Sequence, residues 1–350
     1  MKFPIRMLAV LMLLWLTGGP RSPSLQPLYA ERVAIVAAPV TLVRDDAART
    51  RVGAMTLLGG WKLTSASRQF GGLSALAVHG RELTAIGDAG SVLRFRLGNF
   101  GRPYAASIAA LPPGCGRSDD KIWRDTESLA HDPASGDWWV GYEWRNAVCR
   151  VTRDFATRCG LAAPPALRGW SKTAGPEAMM RLPDGRFVIV AENDPRRGST
   201  RPIVVFDRDP TDPAARFARF AWQPPAGYNP TEIAALPDGR WLMLVRRIAL
   251  DTLFTTQLLL IDPRARVGRC LPNGRVLARL EPPVIHDNFE GLSVTVESGR
   301  PIVWMISDNN FLDWQSTYLL KLAIDPAALA IRRPRPAPLR SSASNAEPSG

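Results

Sequence analysis

Five segments of this chain repeat one pattern, and the period of that repeat restricts the fold more than any other feature. The segments begin at Phe70-Gly71-Gly72-Leu73-Ser74, Thr126-Glu127-Ser128-Leu129-Ala130, Pro176-Glu177-Ala178-Met179-Met180, Thr231-Glu232-Ile233-Ala234-Ala235 and Phe289-Glu290-Gly291-Leu292-Ser293. Each runs into a turn such as Pro183-Asp184-Gly185-Arg186 or Ser298-Gly299-Arg300, then a second β-type run, then a polar cluster. From Gly71 through Glu127, Glu177, Glu232 and Glu290 the spacings are 56, 50, 55 and 58 residues. A hairpin unit of that length cannot bury its apolar face alone, and packing such units around an axis makes propeller blades. The expected fold class is all-β: a β-propeller of six blades, with five or seven as alternatives, each of four antiparallel strands. Five blades come from the repeats and the sixth from the β-prone stretch 33–63, with N- and C-terminal strands sharing one blade so that no sheet edge is left open.

The ends of the chain differ from this body. Lys2 and Arg6 precede an apolar run from Met7 to Leu16, which fits a signal peptide over residues 1–30 or, alternatively, an uncleaved N-terminal anchor. The run is short for a membrane span, and no later segment is apolar enough to be one. Residues 31–328 read as a single propeller domain, and 329–350, with Arg332-Arg333-Pro334-Arg335 and a Ser/Ala/Pro stretch, as a disordered basic tail. The expected location is outside the cytoplasm, periplasmic or secreted or anchored to the inner membrane. Cys115, Cys149, Cys159 and Cys270 would then meet an oxidising compartment. Cys149 and Cys159 flank a hairpin tip at Arg153-Asp154-Phe155 and are expected to pair, leaving Cys115 for Cys270. The formal charge of +12 suits an anionic ester substrate or association with an anionic membrane surface. Nucleic acid is not expected, since no binding motif for it is present.

Glu occupies the position of Gly71 in the other four repeats, just before the first β run. A second polar set follows the second run: Asp88, Glu143, Glu192 and Asp308, with Arg246 in that place in the fourth repeat. Adjacent strands of a hairpin run antiparallel, so both sets fall at one end of the blades, near the axis. Carboxylates packed together disfavour one another's ionisation. A hard cation with oxygen ligands resolves that conflict, and an exported location favours Ca²⁺. The expected metal ligands are Glu127, Glu177, Glu232, Glu290, Asp308 and Asn288. The densest cluster is Asp287-Asn288-Phe289-Glu290 with Ser307-Asp308-Asn309-Asn310. The competing account has each Glu accepting hydrogen bonds from a neighbouring blade's backbone or arginine.

The repeats also resemble a known family. Asp125-Thr126-Glu127-Ser128-Leu129, Gly175-Pro176-Glu177-Ala178, Leu236-Pro237-Asp238-Gly239-Arg240, Asp287-Asn288-Phe289-Glu290-Gly291-Leu292 and Ser307-Asp308-Asn309-Asn310-Phe311 are similar to the bacterial phytase-like family described as "esterase-like activity of phytase". The resemblance covers about residues 60–325 and implies phosphoester hydrolysis centred on recurring Asp and Glu residues. The leading functional expectation is therefore a calcium-dependent hydrolase of phosphate esters. Arg145 and Arg246 would clamp the phosphate and Glu192 would serve as general base. A lactonase-like carboxyl-ester hydrolase and a non-catalytic periplasmic binding or scaffold propeller are the alternatives.

Overall fold

A computed structural model describes residues 29–113, 115, 123–192 and 199–330. Most of the expected signal or anchor segment and of the basic tail lies outside these residues. Among the described residues, no helix is long and apolar enough to cross a membrane.

The architecture is a β-propeller with five blades. Blade I comprises Leu73–His79, Glu82–Gly87, Ser91–Leu97 and Pro103–Ala110, with Glu31–Arg32 added outside. Blade II comprises Thr126–His131, Trp138–Tyr142, Ala147–Val151 and Arg158–Ala162. Blade III runs through Pro176–Arg181, Phe187–Ala191, Arg201–Phe206 and Phe217–Trp222, with Cys270–Leu271 pairing parallel to its edge. Blade IV is built from Asn229–Ala235, Trp241–Ala249, Leu253–Ile261 and Arg275–Leu280. Blade V joins both ends of the chain: Phe289–Glu297, Arg300–Ser307 and Thr317–Ile324 pair onward to Met55–Thr64 and then Val36–Pro39.

The sixth blade expected from residues 33–63 does not exist. That stretch supplies the outer strands of blade V, so the first and last repeats become neighbours through their inner strands. The β-prone composition was legible there, but its hydrogen-bonding partners lie some 260 residues away in sequence, where periodicity carries no information.

The apolar residues form five separate cores, one at each junction between blades. Leu244 and Leu258 meet Leu292 and Met305 between blades IV and V, and Ile86 and Val92 meet Leu129 and Val140 between I and II. Runs such as Val188-Ile189-Val190 and Leu242-Met243-Leu244-Val245 are apolar at every position because both faces of a blade are covered by its neighbours. Hydroxyl side chains bond neighbouring blades at the inner strands. The Thr126 hydroxyl donates to the Gly87 carbonyl at 2.6 Å, and the Ser128 hydroxyl to the Pro176 carbonyl at 2.6 Å. At the opposite end of the channel His79 meets His131 with ring centroids 4.2 Å apart, and His131 stacks on Trp138 at 4.0 Å. Burial holds His131 at about 4, so this stack is neutral near pH 7.

The cysteine pairing differs from expectation. Cys115 is bonded to Cys149 with Cα atoms 5.7 Å apart, whereas Cys159 and Cys270 are free and exposed. Strand alternation gives the reason: Cys149 is buried facing the core between blades I and II, where Cys115 also lies, while Cys159 faces solvent on the edge strand. Peptide mapping without reduction is expected to recover a Cys115–Cys149 cross-link and to find Cys159 and Cys270 open to alkylation. Cys115→Ser should lower stability by about 3–4 kcal/mol on the chain-entropy argument for a sequence separation of 34. A Cys149–Cys159 peptide would contradict the structure.

Candidate active site

Every inner strand carries an irregularity at the same place. The register between first and second strands skips one residue, which is Ser74 in blade I, Glu127 in II, Glu177 in III, Thr231 in IV and Glu290 in V. Such a bulge turns a side chain out of the pleat, here at the mouth of the central channel. The structural counterpart of Glu127 in blade I is therefore Ser74, not Gly71. The likeness of Phe-Gly-Gly-Leu-Ser to Phe-Glu-Gly-Leu-Ser is a match of letters out of register by three. Gly72 serves a different end: with φ +62°, its added Cβ would stand 2.4 Å from Phe311 and 2.5 Å from Asp88 Oδ1.

Beside each bulge stands the residue that ends the second strand. The Asp88 amide donates to the Gly72 carbonyl at 2.8 Å, Glu143 to Asp125 at 3.0 Å, and Asp308 to Asn288 at 2.8 Å. Bulge and strand-end residues together surround one basin. Asp125, Glu127 and Glu143 each bring a carboxylate oxygen within 4.8 Å of the others, and Glu143 does the same with Glu177 and Glu192. Glu143 is thus common to two triads. Glu290 and Asp88 are close enough to act electrostatically on this set, and Asp308 in turn interacts with those two.

Arg246 closes the other side. It forms ion pairs with Glu290 and, at 3.3 Å, with Glu192, and donates to Asn288 Oδ1. The Asn288 side-chain Nδ2 donates to Glu290 at 3.0 Å. Arg145 stands at the lip with its guanidinium over the Trp123 ring, 5.4 Å from the centroid. Of the residues expected to bind metal, Glu127 and Glu177 lie in the triads, while Glu290, Asp308 and Asn288 lie on the Arg246 side.

Glu232 lies outside the basin. It follows its bulge by one residue and is buried between blades, where Oε1 accepts from the amides of Met179 at 3.2 Å and Ile233 at 2.9 Å. That is the alternative of backbone hydrogen bonding, realised at this glutamate. The cluster around Asp287 is also largely a brace. Asp287 accepts from the Ser316 amide at 3.1 Å, and Asn309 from the amides of Gly72 at 3.1 Å and Phe311 at 3.2 Å. Asp125 and Glu143 were missing from the expected ligands. The signal for them was present, since each precedes or follows a strand at the same offset as Asn288 and Asp308.

Proximity and burial show in the titration. Burial pushes Glu127 and Glu177 well above the usual carboxylate range, and acidic neighbours push further: Glu177 and Asp125 on the first, Glu192 and Glu143 on the second. Burial, with Asp125 next, raises Glu143 to about 8. Burial also raises Glu290 to about 7 against the pull of Arg246. An all-oxygen donor set this dense, in which ionisation is disfavoured without a counter-charge, could hold a hard divalent cation.

The model of the phytase-like family, described as esterase-like activity of phytase, matches residues 68–311. The chain belongs to this family. No protein with a curated description matches the sequence significantly. Among solved structures, Myxococcus xanthus glutaminyl cyclase is 14% identical, with 84% of this chain and 99% of that chain covered and a TM-score of 0.42. The β-propeller domain of Myceliophteria thermophila Cps50 (Swd1) is 14% identical, with 68% and 66% covered and a TM-score of 0.36. Hydrazine synthase of Kuenenia stuttgartiensis is 13% identical with a TM-score of 0.37; 73% of this chain is covered, and the match spans 62% of that chain.

The raised carboxyls make stability depend on pH. In the unfolded chain Glu143 and Glu290 titrate near 4.5, and in the fold near 8 and 7. Each therefore adds stability that is fully present below the unfolded value and is lost as pH rises through the folded value. His131 acts in the opposite sense, but only below about 6.5. Between pH 6.5 and 8, chelator-treated protein should melt at progressively lower temperature. Glu177→Gln should stabilise it at pH 8 by roughly 0.5–2 kcal/mol. A flat profile, with Glu177→Gln neutral or harmful, would mean that the charge is already compensated.

Proposed function

We propose that this protein is an exported, calcium-dependent hydrolase of phosphate esters, with its active site in the acidic basin. The observation that carries this reading is the pair of carboxylate triads joined at Glu143, facing a guanidinium across the same basin. Asp125, Glu127, Glu143 and Glu177 would hold the cation. Bound there, it would polarise a phosphoryl oxygen and lower the pKa of a coordinated water. Arg246, held by Glu290, Glu192 and Asn288, presents a planar donor fork fixed in direction before substrate arrives. Ion pairing to two carboxylates more than offsets its charge, so it orients a phosphate more than it attracts one. Arg145 at the lip supplies attraction from outside. Glu192 is placed to accept a proton, because it adjoins both the triads and Arg246. The family's description, esterase-like, agrees with ester hydrolysis as the class of reaction.

A carboxyl-ester reading would rest on Asn288, Glu290 and Asp308 as ligands, and Arg246 already engages the first two. Phosphate esters are therefore the first choice. The test is an assay of purified full-length protein on p-nitrophenyl phosphate, bis-p-nitrophenyl phosphate and p-nitrophenyl butyrate, with millimolar calcium and with chelator. Turnover of a phosphate ester that needs calcium and drops about 100-fold or more in Glu143→Gln is the expected result. Calcium should also raise the melting temperature of the wild type, as any ligand of the folded state does. No phosphate-ester turnover with calcium saturating, or equal turnover in chelator, would overturn the proposal.

A further inference from the structure

The end of the propeller that carries the acidic basin also carries exposed apolar side chains. Trp123 precedes the inner strand of blade II, Trp314 lies between the second and third strands of blade V, and both are more than a third exposed. In blade IV the hairpin of Trp241–Ala249 and Leu253–Ile261 runs past the basin and ends in Ile248 at 66% exposure, Leu250 at 65% and Leu253 at 42%. All three loops leave the blades at the mouth where the inner strands begin.

The hairpin links the two features. Side chains at i and i+2 of a strand share a face, so Ile248 stands on the face of Arg246, roughly 7 Å further out. Phe254 is its cross-strand partner and extends the same face. The base of the hairpin is fixed: Arg247 lies over the Tyr228 ring at 5.3 Å, and the Tyr228 hydroxyl meets Thr255 Oγ1 at 3.2 Å. A ligand held by Arg246 therefore extends outward along aliphatic surface, not along polar groups. Among the described residues, eight carboxylates (Asp88, Asp125, Glu127, Glu143, Glu177, Glu192, Glu290 and Asp308) share the basin with Arg246, itself ion-paired to two of them, so the basin disfavours a heavily phosphorylated polyol. Repulsion grows with each further phosphate.

We propose that the substrate is an amphiphile: a singly phosphorylated ester whose alcohol part is apolar, seated on the rim of Ile248, Phe254 and Leu250. This rests on the phosphoesterase reading of the basin. In the reaction the P–O ester bond breaks and the water oxygen bonds to phosphorus. One water proton ends on the departing alkoxide oxygen, releasing an apolar alcohol and inorganic phosphate.

The experiment compares methyl phosphate, decyl phosphate and inositol hexakisphosphate as substrates of the full chain with calcium, below the micelle concentration of the decyl ester. Binding of non-hydrolysable decylphosphonate is measured separately by calorimetry. Decyl phosphate is expected to show a KM about 30-fold or more below that of methyl phosphate, and Ile248→Ser/Leu250→Ser to reduce that ratio to about 3 or less. Inositol hexakisphosphate should be turned over least. Turnover without dependence on chain length would overturn the amphiphile inference and leave the phosphoesterase reading standing. Decylphosphonate binding that the double variant abolishes, with no turnover of any ester, would uphold the apolar rim and sink the phosphoesterase reading. Neither binding nor turnover would overturn both.

Discussion

Repulsion among the carboxylates at one mouth of the channel is the constraint around which the rest of this molecule is arranged. Four blades deliver acids to one basin, where the ion pairs of Arg246 with Glu192 and Glu290 offset only part of the repulsion. The favourable part is placed elsewhere, in five apolar cores between blades that share no residues with the basin. A propeller suits such a division because its core is distributed around the axis and the axis itself need not be apolar. Stability and chemistry are thereby kept on different residues. The stress in the basin then lowers stability as pH rises without disturbing the apolar cores.

The device that aims the acids is local. A bulge at the same position of every inner strand rotates one side chain out of the alternation, and in blades II, III and V that side chain is a glutamate. Blades I and IV carry Ser74 and Thr231 there, which hold no charge. In blade IV the second strand runs on to Ala249 and carries Arg246 at the place where the others have Asp or Glu, and the glutamate is shifted by one residue into the wall. The fivefold pattern is thus broken at one blade, and the basin gains a direction: carboxylates on one side, a guanidinium opposite. A symmetric ring of acids would bind cations but would have no preferred orientation for a substrate.

Much of this was legible in the sequence, for identifiable reasons. Repeat period, turn residues and apolar runs specify a propeller, because each acts over a few neighbouring residues. The convergence of Glu127, Glu177, Glu290 and Asp308 also followed, since the offset of an acid from a hairpin fixes which end of a blade it occupies. Blade number was not legible, because residues 55–64 pair with 317–324 and such pairing leaves no periodic trace. A register shift of one residue defeated the reading of Glu232, which a strand either turns to the channel or buries in the wall. The cysteines failed similarly: proximity in sequence favoured Cys159, whereas the inward face of Cys149 required Cys115.

Blade V, made from both ends of the chain, has a consequence in time as well as in space. The strand at residues 55–64 has no partner until residues 317–324 have been made and folded back, so ring closure is among the last events of folding, and one of high contact order. Asn288, Glu290 and Asp308 belong to that closing blade. Before closure the acids of blades I to III face open solvent, where water screens them from one another. Their mutual repulsion therefore becomes fully felt only when the ring locks. A nascent or nicked chain would therefore hold a half-built basin with little electrostatic stress, and closing the circle is the step that loads that stress onto the same residues.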